Sequence, residues 1–205
     1  MPRVTDTRAR IVRAAEDVVM RDGVSRLTLE AAAAEAGVSK GGVLYHFPSR
    51  AALVSAMVQR FVESFEVDLE HYGASSGKPG AFTRAYLEAT VAPTDEAGDQ
   101  RERRLGAALL AGMASDPDLL APLRVRADAW QAAVERDGLP AGVGTLVRLA
   151  ADGVWLADLL GLAPPGRAEQ ERVARRLRDL LRVPAAGAAR TGRSTTSGTG
   201  KGGRR

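Results

Sequence analysis

An all-α fold is what this chain of 205 residues predicts. Three observations carry that expectation. Apolar residues recur at three- and four-residue steps along most of the chain, the spacing of helices with one buried face. No run of Val and Ile alternates with period two between turn residues, so no sheet is expected. The composition, 45% apolar and 26% charged, is that of an ordinary globular chain.

The elements follow in order. A first helix is expected from about Asp6 to Arg21, with Ile11, Val12, Ala15, Val18 and Val19 on one face, Thr5 as its N-cap and Gly23 just past its end. A second starts after Thr28, buries Leu29, Ala32, Ala33 and Ala36, and stops at Gly37, a turn position that wants positive φ. Ser39 caps a short third helix that Pro48 closes, with Val43, Leu44 and Phe47 as its apolar side. Ser49 caps a long fourth, roughly Arg50 to His71, with Leu53, Met57, Phe61, Phe65 and Leu69 at four-residue steps. After a Gly/Ser/Pro break come helices near 80–92, 101–114, 117–136, 142–162 and 167–182. Val143–Leu162 carries only Arg148, Asp152 and Asp158 as charges, so it should be largely covered. The last helix shows a narrow stripe of Val173, Leu177, Leu180 and Leu181. Residues 184–205 have no large apolar side chain and are expected to be disordered.

Charge divides by region. Residues 1–50 hold 8 Lys+Arg against 6 Asp+Glu, residues 51–183 hold 16 against 19, and residues 184–205 hold 5 against none. The basic character therefore sits at the start and in the tail. Cysteine is absent and histidine occurs only as His46 and His71, so disulfides, thiolate metal sites, cysteine nucleophiles and serine–histidine triads have nothing to build with. No metal, no cofactor and no enzymatic activity are expected. No apolar run reaches the roughly 18 residues of a membrane span, and the start, with Arg3, Arg8 and Arg10, lacks a signal-peptide core. A cytoplasmic protein without a membrane partner is expected.

The segment Thr28–Arg50 reads TLEAAAAEAGVSKGGVLYHFPSR: helix, tight turn, short capped helix, entry to a long helix. That is the build of a helix-turn-helix, whose second helix enters the major groove of DNA. Gly41 and Gly42 strip the start of that helix, so its backbone can approach a phosphate or a base edge closely. The run AGVSKGGVLYHFPSRAAL, preceded by RIVRAAEDV and Asp22–Gly23, resembles the DNA-binding domain of TetR-family transcriptional regulators over about residues 6–60. Ala32 departs from it, standing where the family prefers a larger aliphatic side chain.

The resemblance implies three N-terminal helices, a linking helix and a helical ligand and dimerisation domain. The division expected is 1–50 for the helix-turn-helix domain, with the start of the fourth helix to about 64, then 51–183 for the effector and dimer domain. It makes Thr28 a phosphate contact, and puts Ser39, Lys40, Gly41 and Gly42 where bases and phosphates are met. Tyr45 and His46 match a pair that touches backbone and bases. Arg50 stands where the family commonly has a phosphate-binding Lys. It further implies a homodimer, usually a repressor, on an inverted-repeat operator in double-stranded DNA, released by a small-molecule effector. The competing reading is a helical protein-interaction module that keeps the fold and reads no operator.

In the second half, Phe82, Tyr86, Met113, Trp130 and Trp155 each read singly as core and together as candidates to line an effector cavity, with Asp158 facing that pocket, a dimer partner or solvent. Arg148 and Asp152 form an i,i+4 pair. A dimer seam is expected from the last two helices, at Val154, Val173, Leu177, Leu180 and Leu181.

Overall fold

The computed structural model describes residues 4–91, 97–113 and 117–182. The basic tail expected to be disordered lies outside them. Among the described residues there are nine α-helices and no strand: α1 Val4–Asp22, α2 Leu29–Ala36, α3 Lys40–His46, α4 Arg50–His71, α5 Ala81–Val91, α6 Ala97–Met113, α7 Ala121–Glu135, α8 Val143–Leu160 and α9 Arg167–Leu180. Short 3-10 turns at Val24–Arg26 and Pro117–Leu120 lead into α2 and α7.

Local chemistry sets the first four elements. Gly23 ends α1 at φ 83° and Gly37 ends α2 at φ 63°, both conformations that a Cβ disfavours. Thr28, Ser39 and Ser49 each accept a hydrogen bond from the backbone N–H three residues on, at 3.0, 3.0 and 3.1 Å. α1 runs from Val4, ahead of Thr5, the expected N-cap, whose side chain lies outside the described residues. Leu44 is not on the apolar side of α3. Val43 and Phe47 are buried, whereas Leu44 is 41% exposed.

Three buried clusters follow one another along the molecule. The first joins Ile11, Val18, Leu27, Val43, Phe47, Leu53 and Met57 to Leu105 and Leu109 of α6, so α6 closes the N-terminal core from the side. The second gathers Val62, Leu69, Ala85, Tyr86 and Trp130 between α4, α5 and α7. In the third, Leu87, Val147, Ala151, Leu177 and Leu181 join α5, α8 and α9.

That third cluster takes up two of the residues expected at a dimer seam, Leu177 and Leu181. Leu177 and Leu181 are 7% and 1% exposed inside the chain's own core, and Val173 packs against the same cluster. A helical stripe must be buried, but its spacing does not say by which neighbour. The apolar face left open lies on α8, where Leu146, Leu149, Leu156 and Leu160 are 56, 54, 40 and 45% exposed. Gly153 lies on that line with no heavy atom within 4 Å of where its Cβ would be. Leu180 is exposed on α9, and Val154 is half-buried.

Candidate nucleic-acid interface

The capped turn between α2 and α3 builds a reading head. Gly37 N–H returns to Ala34 O at 3.2 Å and Val38 N–H to Ala33 O at 3.0 Å, so α2 stops abruptly. Ala33, 4% exposed, and Ala36, 8% exposed, keep the α2 face slim. Val43 and Phe47 anchor α3 from below, and the Arg8 guanidinium lies 5.1 Å from the centre of the Phe47 ring. The opposite side of α3 is open. Tyr45 is 79% exposed, with its ring edge-on to His46 at 5.1 Å. Gly41 is exposed and Gly42 half-buried, and a Cβ on Gly41 would meet only Ser39 Oγ at 3.8 Å.

Lys40 opens α3 and pairs with Glu30 of α2 at 2.6 Å, both side chains more than half exposed. The Lys40 ammonium holds the Glu30 carboxyl below its usual range through that hydrogen bond. A pair this exposed contributes little to stability, so Lys40 can exchange Glu30 for a phosphate at small cost. Thr28 and Ser39 are exposed, and each hydroxyl already accepts the N-cap bond.

Arg50 is placed differently from the expectation. Its side chain is half-buried and turned inward: Nε donates to Leu27 O at 2.9 Å and Nη2 to Val24 O at 2.6 Å. It ties the start of α4 to the turn before α2. Spacing in sequence carries no sign of this, because the acceptors are backbone carbonyls more than twenty residues away.

The second half supplies an aromatic centre. Phe65 packs edge-on to Tyr86 at 5.2 Å and to Trp130 at 5.0 Å, and Tyr86 to Trp130 at 6.0 Å. Phe82 packs against this group. Phe65 belongs to the centre although its spacing marks it only as a core position on α4. Trp155 is half-buried on α8, and the Met113 side chain lies outside the described residues.

Among the described residues, Trp130 Nε1 is buried with no hydrogen-bond partner. Beside the aromatic centre runs a polar chain. Tyr86 Oη donates to Asp152 Oδ1 at 2.7 Å, Arg148 donates to Asp152 Oδ2 at 2.9 Å and to Gln131 Oε1 at 2.7 Å, and Gln131 donates to Thr145 Oγ1 at 2.8 Å. Burial and the Asp152 carboxylate push the Tyr86 phenol well above its ordinary range. Burial raises Asp152, against the Tyr86 bond and the Arg148 charge. Asp158, one of the pocket candidates, pairs with Arg103 of α6 at 2.9 Å. A shallow recess of about 240 Å³ lies at the α7–α8 turn, lined by Val134, Glu135, Leu139, Pro140 and Thr145, none of them expected there.

Among the described residues no group of His, Cys, Asp or Glu has a metal-site arrangement, and no helix is long and apolar enough to cross a membrane.

Comparison with known proteins agrees with this geometry. Residues 11–57 match the family model described as bacterial regulatory proteins, tetR family. Residues 80–182 match the tetracyclin repressor-like C-terminal domain. Over 61 residues the chain is 39% identical to the HTH-type transcriptional regulator TtgR of Pseudomonas putida, covering 30% of this chain and 29% of the relative. The aligned part thus spans under a third of that regulator's length. Among solved structures, a TetR-family member from Streptomyces coelicolor A3 superposes with a TM-score of 0.63 at 24% identity, covering 84% of this chain and 98% of that one. The multidrug binding protein EbrR, complexed with imidazole, superposes with a TM-score of 0.61 at 25% identity, covering 91% and 99%. EbrR has also been solved with malachite green and with ethidium.

Proposed function

Because the chain belongs to the TetR family of bacterial transcriptional regulators, a DNA-binding family and not one of enzymes, we propose that it is a homodimeric repressor. In this reading it sits in the cytoplasm on an inverted-repeat operator and leaves it when a small molecule binds between α4, α5 and α7.

The observation that carries the reading is the open side of α3, with Gly41 bare and Tyr45 79% exposed above a buried Val43–Phe47 anchor. One such helix covers only a few base pairs, so two are needed for useful affinity, with half-sites about one helical turn or a multiple apart. The dimer is supported by the open apolar line on α8. Leu146, Leu149, Gly153, Leu156 and Leu160 follow a three- and four-residue alternation, which is a helix-pairing seam. Gly153 lets a second backbone come close.

The effector seat is supported by Phe65, Tyr86 and Trp130. Rings packed edge to face favour an aromatic molecule, and Trp130 Nε1 is a buried donor that an effector's acceptor would satisfy. The Asp152 carboxylate is already matched by Arg148, so a highly charged effector finds no counter-charge in that pair. EbrR, solved with imidazole, malachite green and ethidium, agrees with an aromatic occupant.

The test is selection from a random duplex pool with the purified protein, followed by sedimentation of the complex. Enrichment of an inverted repeat bound by two chains is expected, with affinity falling steeply as salt rises. Binding that ignores both sequence and salt would reject the proposal.

A further inference from the structure

Two contacts from opposite sides meet on one buried residue, Val24. From the reading head's own side, the Arg50 fork at the start of α4 holds Val24 O and Leu27 O, at 2.6 and 2.9 Å. Leu27 is 1% exposed and immediately precedes Thr28, the N-cap of α2. From the other side comes Gly112, in the last turn of α6. A Cβ on Gly112 would stand 2.5 Å from Val24 Cβ and 2.7 Å from Val24 Cγ2, so only glycine allows this approach. The same α6 is tied to α1 nearer its start. Arg101 pairs with Asp17 and donates to Glu16 Oε2 at 3.3 Å and to Arg13 O at 3.5 Å.

We propose that Arg50 is a positioning residue, and that Val24 is the joint where α4 and α6 together set the pose of the helix-turn-helix. The inference rests on the DNA-binding reading above. Leu27 and Thr28 carry the chain straight into α2, and α2 carries α3 through the Gly37 turn. A shift of the 3-10 turn at Val24 therefore swings the reading head as one body. Arg50 suits the task because its planar fork reaches two carbonyls at once, which an ammonium on a flexible stem does not reproduce. Gly112 suits it because it converts a small displacement of α6 into a hard contact with Val24.

The experiment compares Arg50→Lys, Arg50→Gln and Gly112→Ala with the parent. The probe is the duplex selected by the parent from a random pool, titrated over a salt series. Amide hydrogen exchange at residues 24–31 is read on the free proteins, without DNA. A positioning Arg50 gives faster exchange there in Arg50→Lys and Arg50→Gln. Both variants lose about tenfold or more in affinity, with an unchanged slope of log affinity against log salt. A phosphate-binding Arg50 gives the opposite pattern. Lys then restores affinity, Gln lowers the slope by about 0.9, and exchange stays at the parent rate.

Gly112→Ala, remote from any DNA, should also weaken binding with the slope preserved. Its effect should fall short of additive when combined with Arg50→Lys, as expected for two residues acting on one contact. Parent-like binding by Gly112→Ala, or unchanged exchange in the Arg50 variants, overturns the joint. Failure of the parent to select any duplex overturns the DNA-binding reading instead, and the exchange data still decide the joint.

Discussion

Tyr45 and Glu16 are opposites in burial, and their substitutions should behave as opposites. Tyr45 is 79% exposed, so Tyr45→Ala should leave thermal stability within about 0.5 kcal/mol of the parent while operator affinity falls. Lys40→Ala should do the same, since Lys40 gives up only its exposed partner Glu30. Urea melts beside duplex titrations check both, and a variant that binds like the parent removes that side chain from the interface. Glu16 is 2% exposed, facing Arg60 at 3.6 Å and Arg101 at 3.3 Å. Burial raises its carboxyl above the ordinary range, outweighing the two arginines. A carboxyl raised by folding contributes stability below its unfolded pKa and loses it as pH rises through the folded value. Glu16→Gln, which cannot ionise, should therefore gain stability relative to the parent as pH climbs above the usual glutamate range. Melts of both proteins from pH 4 to 7 check the sign. At this scale the sequence is legible wherever a side chain acts on its own neighbourhood: the caps Thr28, Ser39 and Ser49 and the positive φ of Gly37 all follow from residue type. It is not legible for Arg50 or Asp158, whose partners lie on other elements.

At the scale of elements, periodicity locates the nine described helices to within a few residues, because each needs one apolar face. What it leaves open is which neighbour each face meets. The α9 stripe looks free in sequence, yet Leu177 and Leu181 close a core with Leu87, Val147 and Ala151. On α8 the buried line is Val147 and Ala151, and the open line is Leu146, Leu149, Leu156 and Leu160. The nearly all-round apolar character of that helix thus reflects two faces, one packed in the chain's own core and one open. This separates two substitutions. Leu177→Glu puts a charge into the chain's own core and should cost about 3 kcal/mol or more, enough to unfold much of the protein. Leu149→Glu with Leu156→Glu touches only the open face. That variant should fold and melt as a single species, sediment as a monomer, and bind the inverted repeat far more weakly. A dimer that persists in the double variant would place the subunit contact on another face.

Across the whole molecule, control requires that the aromatic centre and the reading head report to one another. A ligand that binds both conformations equally shifts nothing, however tightly it binds. Phe65, Tyr86 and Trp130 touch one another directly, so an aromatic molecule must part them to enter, and that parting moves α4 against α5 and α7. Since α4 begins at Arg50 and α6 abuts Val24, displacement at the centre has two routes to the turn before α2. Malachite green, an aromatic dye, serves as the probe: its binding is expected to quench tryptophan fluorescence, and Trp130→Phe should remove much of that signal. Coupling between two binding sites is reciprocal. If the dye lowers operator affinity by a given factor, saturating duplex must lower dye affinity by the same factor. The expected outcome is a coupling of about fivefold to a hundredfold in both directions. It should be preserved in Trp155→Phe, since Trp155 lies outside the packed trio, and reduced in Gly112→Ala, where α6 no longer seats on Val24. Dye binding that is equally tight with and without duplex would leave the aromatic centre as a binding site with no hold on the DNA.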